Sequence, residues 1–448
     1  MLMEEGFMNI LAIAVDTLRA DHVSCYGYKY KTTPFLDEYA TRGVRFENFY
    51  APGIPTQPSF TTFYTGVHPI THQIVAHGGK VALDRKIPVF TEILQKAGYL
   101  TCAIDNLWKM KPWFTRGYEF YIDPSARREY GQTVDCDTQN SRAIPWLREH
   151  KRERFFLFVH YWDPHTPYIP PERYRGLFYQ GKPFEPNNHS MDDFYKRAYG
   201  PAWAKSWFTR YVPDGHITNA DFVKALYDEE IRYVDEGIKK LIGTLKEEGI
   251  EKETLVIIFS DHGESLTEHG IFFDHHGLYE NNIHVPLIMV GPNVPRGRTI
   301  KQLVQHTDLA PTILEAAQVR IPESMEGKSL WPLISGEKNE PIYDKLITEE
   351  STRMCKWAML KDNYKFILAR ESDYYHFPPR ELYDLNSDPE EKNNLAEEKP
   401  SLARQYEEEL EDWIEQRIRR LNRKLDPLKE QGASMPYWLG WIHPRKYW

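Results

Sequence analysis

The stretch 254–264, TLVIIFSDHGE, decides the fold, because an apolar run of Val, Ile and Leu stops abruptly at Asp261 and His262. A strand that is apolar at successive positions is buried on both faces, as in a parallel sheet covered by helices. In such folds ligands bind outside the carboxyl ends of the strands. Asp261 and His262 are therefore candidate metal ligands, although Asp261 could instead cap a helix and His262 could be an ordinary loop histidine.

Three further apolar runs are interpreted as buried strands of the same sheet. Each ends next to polar residues: 9–15 (NILAIAV) before Asp16, 99–104 before Asp105 and Asn106, and 155–161 (FFLFVHY) before Asp163 and His165. Asp16 then lies on the same rim of the sheet as Asp261. Asp163 and His165 could be a simple turn pair, but Pro164 and Pro167 make their loop rigid enough to place ligands.

Residues 51–66, APGIPTQPSFTTFYTG, predict a fixed loop that leads into a helix rich in Ser and Thr. This arrangement presents one side chain and several backbone N–H groups to an anion. We interpret Thr56 as the presented residue and Ser59 as the N-cap of the helix. The alternative is an ordinary turn, since Ser and Thr next to Pro are common in turns.

Size and charge exclude several classes of protein. The 448 residues suggest one large domain with a smaller companion, or two to three domains of ordinary size. The formal net charge of -9 argues against nucleic acid as a partner. The four cysteines lie far apart and predict neither a zinc ribbon nor a disulfide framework. The start of the chain resembles neither a signal peptide nor a membrane span, so we expect a cytoplasmic protein with no membrane partner.

The remaining segments differ in character. Residues 170–218 mix aromatic residues, prolines and charges without a period, which predicts an aromatic lid that faces the substrate. Residues 268–280, EHGIFFDHHGLYE, hold an unusual density of potential ligands, including His275. Residues 345–448 predict a small antiparallel sheet, a charged amphipathic helix over 402–424 and an aromatic tail, which could pack on its own chain or make a homo-oligomer.

Several segments together resemble the sulfatase family of the alkaline-phosphatase superfamily. They include AVDTLRADHVSCYGY, TQPSFTTFYTGVHP, SDHGE, HHGLYENNIHVPLI and ELYDLNSDPEEKNNLA, in order over roughly residues 9–395. The resemblance implies a mixed, mainly parallel α/β sheet between helices over residues 1–344, with a small C-terminal antiparallel α+β subdomain over 345–448. It also implies that Asp16, Asp261 and His262 bind a metal and that Thr56 occupies the nucleophile position.

The chain departs from the family at the nucleophile. Sulfatases carry Cys or Ser within C/S-x-P-x-R, and that residue is oxidised to formylglycine, whereas this chain has Thr56 and, four residues later, Phe60. Threonine cannot yield the aldehyde. A formylglycine hydrate releases sulfate by collapsing to the aldehyde, and a threonyl sulfate cannot release sulfate in this way. A threonyl phosphate can be cleaved by water, so phosphate monoesters or diesters become the expected substrates, hydrolysed through a phosphothreonine.

The resemblance and the departures lead to a hypothesis of two metal ions, zinc or manganese rather than calcium, because imidazole ligands favour those metals. The residues assigned are Asp16, Thr56, Asp261 and His262 for one ion, and Asp163, His165 and His275 for the other. His165 and His275 could instead bind the small anionic ester directly, together with Asn106. Two alternatives are a sulfatase that acts without formylglycine and a non-catalytic protein that binds anions.

Overall fold

The computed structural model describes residues 8–125 and 134–435. Its centre is an eight-stranded sheet with the order β4-β3-β5-β1-β6-β7-β2-β8. The strands are β1 (Asn9–Val15), β2 (Val44–Tyr50), β3 (Leu100–Ile104), β4 (Phe120–Ile122), β5 (Phe155–Tyr161), β6 (Thr254–Phe259), β7 (His284–Val290) and β8 (Arg298–Gln305). Strand β7 runs antiparallel to both of its neighbours, and the other pairings are parallel. The expected mixed, mainly parallel sheet is confirmed.

Helices cover both faces of this sheet, which is why β1, β5 and β6 are buried at every residue. Along β1, Leu11 and Ile13 belong to the core on one face, and Ile10 and Ala12 to the core on the other. The helices are α1 (Pro34–Ala40), α2 (Thr56–Thr65), α3 (Pro69–His72), α4 (Phe90–Lys96), α5 (Cys136–Glu149), α6 (Asp192–Lys196), α7 (Gly200–Ser206), α8 (Ala220–Glu247), α9 (Glu280–Ile283), α10 (Leu309–Ala316), α11 (Trp331–Ser335), α12 (Pro400–Arg420) and α13 (Pro427–Gln431).

A second sheet lies in the C-terminal region, as expected. It has four antiparallel strands in the order β12-β11-β10-β9, namely β9 (Lys345–Glu350), β10 (Lys356–Lys361), β11 (Tyr364–Ala369) and β12 (Arg380–Asp384). Helix α12 packs against it through a shared apolar cluster. This helix ends at Arg420, earlier than predicted. The end of β9 also pairs with Ile54, just before the Thr56 helix.

The aromatic residues of segment 170–218 mostly pack inward. The segment contains α6, α7 and short 3-10 turns, and Phe194, Trp207 and Phe208 join the core that also holds α8. Among the aromatic residues of the segment, Phe184 is exposed. The lid and the domain boundary at residue 344 stay predictions, and the aromatic tail over 436–448 lies outside the described residues. No helix within 8–125 and 134–435 is both long and apolar enough to cross a bilayer.

Candidate active site

Asp16, Asp261 and His262 meet at the carboxyl ends of two neighbouring parallel strands. Asp16 follows β1 and the other two follow β6, and all three are fully buried. His262 Nε2 lies 3.8 Å from Asp16 Oδ1 and 3.3 Å from Asp261 Oδ2. One ligand atom from each residue lies within 4.8 Å of the others. The structure thus brings this part of the predicted ligand set, the strand-end cluster, to a single point.

Two carboxylate oxygens of the strand-end cluster are suitable ligands for a cation. Asp16 Oδ1 and Asp261 Oδ2 are buried and make no hydrogen bond among the described residues. Burial and the nearby charge of Asp16 raise the pKa of Asp261 well above its ordinary value. Burial alone would also raise the pKa of Asp16, but a hydrogen bond from His160 and the charges of nearby histidines lower it to about 2. A divalent cation would neutralise this pair of carboxylates.

His262 presents a lone pair to the same point. Its Nδ1 lies 2.9 Å from the Gly263 carbonyl oxygen, so Nδ1 carries the proton and donates. Burial lowers the pKa of His262 well below its ordinary value, and the ring is therefore neutral. Nε2 is left as the acceptor that faces the two carboxylates, which is the tautomer that binds a metal.

Thr56 stands beside this lone pair at the first residue of α2. Its hydroxyl Oγ1 lies 3.2 Å from His262 Nε2, to which it donates, and the residue is almost fully buried. The N-terminus of a helix attracts negative charge, so an anionic ester is favoured there. The predicted N-cap at Ser59 is wrong, because the helix begins at Thr56. Ser59 Oγ instead donates to the Asp261 carbonyl oxygen over 2.8 Å and ties α2 to the end of β6.

His160 is a functional residue that the sequence analysis missed. It lies inside the apolar run of β5, and its ring connects two buried carboxylates, with Nε2 3.2 Å from Asp16 Oδ2 and Nδ1 2.9 Å from Asp105 Oδ1. Burial would lower the pKa of His160, but these two partners raise it to about 10. The ring of Phe60 packs 4.8 Å from the ring of His160. His160 therefore carries a positive charge that orients Asp16.

The second predicted ligand set is only partly brought together. The rings of His165 and His275 lie 4.8 Å apart, and the ring of His275 is also 5.0 Å from that of His262. Asp163 does not join them in a ligand group, since its Oδ2 accepts a hydrogen bond from the backbone N–H of Cys136 over 2.7 Å. The first turn of a helix leaves N–H groups unsatisfied, and a carboxylate stabilises them. Asp163 thus supports α5.

Two predicted contacts to the substrate anion stand near the strand ends. Asn106 is fully buried, and its Oδ1 accepts a hydrogen bond from Trp162 Nε1 over 2.8 Å. His165 Nδ1 lies 2.6 Å from the Thr166 carbonyl oxygen and donates to it. Burial is the main cause that lowers the pKa of His165, so its ring is neutral at neutral pH. Anion binding by Asn106, His165 and His275 stays a prediction.

A second group of possible ligands lies on the loop before α9. Asp274, His275 and His276, which we call the histidine loop, offer ligand atoms within 4.8 Å of one another. Glu264 is fully buried next to it, and burial raises the pKa of Glu264 to about 8. Only His275 of these residues was predicted as a site residue. The density of ligand types over 268–280 was the available signal for Asp274 and His276.

Comparisons with known proteins agree on one family. The family model described as sulfatase matches residues 8–319, and a model described as N-sulphoglucosamine sulphohydrolase, C-terminal, matches residues 267–420. Arylsulfatase K of Xenopus laevis is 25% identical over 425 residues, which cover 85% of this chain and 78% of the relative. N-acetylglucosamine-6-O-sulfatase of Bacteroides thetaiotaomicron is 24% identical over 471 residues, which cover 86% and 82%.

A solved structure shows the same fold. The crystal structure of phosphonate monoester hydrolase of Agrobacterium radiobacter superposes with a TM-score of 0.71 at 20% identity, and the match covers 92% of this chain and 96% of that one.

Proposed function

The chain belongs to the sulfatase family, and we propose that it hydrolyses sulfuric esters at a metal-dependent site that works without formylglycine. The observation that carries the proposal is the buried strand-end cluster, in which Asp16 Oδ1 and Asp261 Oδ2 lack a hydrogen-bond partner among the described residues and His262 Nε2 faces both carboxylates. Two of the relatives described above are named as sulfatases, which supports sulfate as the transferred group.

Different residues of the site would bind the metal ion and the ester. Asp16, Asp261 and His262 would hold a divalent ion, which supplies Lewis-acid stabilisation of charge on the ester. The N-terminus of α2 and the side chain of Thr56 bind the ester oxygens. Because threonine cannot form the aldehyde, a water molecule attacks sulfur directly, the bond from sulfur to the alcohol oxygen breaks, and the alcohol takes up a proton of that water. In this reaction Thr56 positions the ester.

A second candidate is hydrolysis of phosphate esters, and Thr56 itself favours it. The Thr56 oxygen would form a bond to phosphorus while the bond to the alcohol oxygen breaks, and the threonine proton would end on the alcohol. Water would then attack phosphorus, break the bond to Thr56 and restore its hydroxyl. Phe60 supports both candidates over a formylglycine enzyme, because an apolar ring takes the place of the arginine found in sulfatases.

The experiment compares matched aryl esters. Purified protein is loaded with zinc or manganese, and turnover is measured on an aryl sulfate, an aryl phosphate and an aryl phosphonate monoester. We expect the sulfate to have the highest kcat/KM. A large preference for phosphate would reverse the order of the two candidates. If none of the three esters is turned over, the alternative of a non-catalytic protein that binds anions would be favoured.

Variants of Thr56 separate the two chemistries. If Thr56 only positions a sulfate ester, Thr56→Ala should lower kcat/KM by about tenfold, the scale of one lost hydrogen bond to a charged group. If Thr56 is the nucleophile for phosphate, the same variant should lose about 1000-fold or more, while Thr56→Ser should keep most of the activity. Thr65→Ala at the other end of α2 is the matched control, since Thr65 Oγ1 donates to the Thr61 carbonyl oxygen and accepts from the Val67 backbone N–H, and neither partner belongs to the strand-end cluster.

A further inference from the structure

We propose that the histidine loop, Asp274, His275 and His276, binds a second divalent metal ion. This ligand set differs from the predicted one, because Asp274 and His276 take the places given to Asp163 and His165. Asp274 Oδ1 lies 3.3 Å from His276 Nε2 and 3.8 Å from His275 Nδ1. The side chains of Asp274 and His276 are only 5% and 3% exposed, so their ligand atoms are shielded from water.

The orientation of His276 supplies the first argument. Its Nδ1 lies 2.7 Å from Glu350 Oε1, so Nδ1 carries the proton and donates to this carboxylate. The ring places Nε2 3.3 Å from Asp274 Oδ1, an oxygen that also accepts from the His275 backbone N–H over 3.1 Å. A cation held between Nε2 and Oδ1 would use the Nε2 lone pair of the neutral ring. A histidine whose other nitrogen donates to a carboxylate is also the usual form of a metal ligand.

Two unpartnered atoms supply the second, independent argument. His275 Nδ1 and Glu264 Oε1 are both buried and make no hydrogen bond among the described residues. They lie 3.7 Å apart. Glu264 is fully buried, and its other oxygen, Oε2, already accepts from Thr166 Oγ1. Its Oε1 is therefore directed at the histidine loop, where a cation would stabilise the charged form of this buried carboxyl group.

The chemistry of these donors indicates the class of ion. Two imidazole nitrogens with one or two carboxylate oxygens suit zinc, manganese or a similar transition metal better than calcium or magnesium. Two carboxylates also balance the charge of a divalent ion. The His275 ring lies 5.0 Å from the His262 ring, so the second ion would stand next to the strand-end cluster. The inference thus extends the proposed function, although it does not depend on the class of ester.

Metal content tests the inference without any measurement of turnover. The full chain is loaded with Zn²⁺, passed through gel filtration and analysed for zinc per chain. Wild type should retain two ions, Asp274→Asn should retain one, and Asp261→Asn should also retain one. His269→Gln is the control in the same segment, because its ring stacks on Tyr279 with 3.6 Å between the ring centroids, and it should retain two.

The outcomes distinguish the two sites. One ion in the wild type that Asp261→Asn removes and Asp274→Asn leaves would overturn the second site and keep the first. Two ions that Asp261→Asn does not change would count against the proposed function instead. Since an unfolded Asp274→Asn chain would also lose metal, anomalous diffraction from zinc-loaded wild-type crystals gives a second test. Absence of a peak between Asp274 and His276 overturns the inference.

Discussion

The strand-end cluster and the histidine loop hold similar residues in two different ways. Asp16 and Asp261 are fixed by the register of β1 and β6, in which Ala14 lies opposite Phe259. The histidine loop lies outside the named strands. Asp274 pairs with Ser265 through two backbone hydrogen bonds, and Asn282 Nδ2 donates to the His276 carbonyl oxygen. Glu350, at the end of β9 in the C-terminal sheet, accepts from His276 Nδ1 and from the Gly277 backbone N–H, each over 2.7 Å. One group of ligands is thus placed by a single sheet, and the other by loop contacts together with a carboxylate of the C-terminal sheet.

This difference predicts which substitutions should affect the strand-end cluster and which should affect the histidine loop. The carboxylates of the strand-end cluster are approached from within the central sheet, by His160 of β5, and from α2, whose Ser59 hydroxyl bonds the Asp261 carbonyl. The histidine loop depends on a carboxylate of β9, 74 residues further along the chain. A change in the C-terminal sheet should therefore reach the histidine loop and leave the strand-end cluster intact.

The largest expected effect separates the two groups directly. Asp261→Asn should lower kcat/KM by about 1000-fold, because loss of the ion removes several kcal/mol of charge stabilisation in the transition state. Asp274→Asn should lower it by about 10- to 100-fold, since the strand-end cluster keeps its ion. The measurement is turnover of the best ester at saturating zinc.

A surface variant is the control for this pair. Asp84→Asn removes an exposed carboxylate that accepts from the Lys86 backbone N–H, and it should keep wild-type activity. Equal losses for Asp261→Asn and Asp274→Asn would show that the two groups act as one unit, and the distinction drawn between them would fail.

A smaller effect is expected at His160, which supports only the strand-end cluster. His160→Gln keeps a hydrogen-bonding side chain but removes the positive charge between Asp16 and Asp105. Loss of such a supporting partner typically costs 10- to 100-fold in metal affinity. Zinc affinity is measured by competition with a chromophoric chelator. We expect the binding of one of the two zinc ions to be weakened.

His72→Gln is the matched control for that measurement. His72 is equally buried, but its ring contacts Thr62 and the backbone of Ile74, away from the cluster. Unchanged zinc affinity in His160→Gln, or equal weakening in His72→Gln, would contradict the role given to His160.

The same difference explains what could be predicted from the sequence. Apolar runs that end at Asp16 and Asp261 identify parallel strands, and parallel strands put their ends on one rim, so the fold and the strand-end cluster follow from local pattern. Asp163 also follows a strand, yet its side chain accepts a hydrogen bond from the N-terminus of α5. His160 was hidden because it lies inside an apolar run, and no local signal distinguishes a charged histidine from a core residue there.

The histidine loop shows a second limit of the sequence. Its ligand types were visible in EHGIFFDHHGLYE, but which of them face one another depends on contacts from outside that stretch, with Ser265 and with Glu350. Glu350 comes from β9, and no pattern in the sequence connects β9 to the loop before α9. A prediction from local patterns therefore finds the residue types and misses their grouping.

The smallest expected effect tests the contact between the two sheets. Glu350→Gln leaves one acceptor oxygen for the two donors that the carboxylate binds, His276 Nδ1 and the Gly277 backbone N–H, so the orientation of His276 towards Asp274 is held less firmly. We expect about tenfold weaker zinc binding at the histidine loop and no change at the strand-end cluster, measured as two separate steps in the same chelator competition.

Glu349 provides an adjacent control for this variant. It is fully buried, and both of its carboxylate oxygens lack a hydrogen-bond partner among the described residues. Burial raises the pKa of Glu349 well above its ordinary value, so the side chain is already neutral and Glu349→Gln changes little. Zinc binding should then match wild type in both steps. If Glu349→Gln and Glu350→Gln weaken the same step equally, the C-terminal sheet acts through general packing, and the specific link from Glu350 to His276 is wrong.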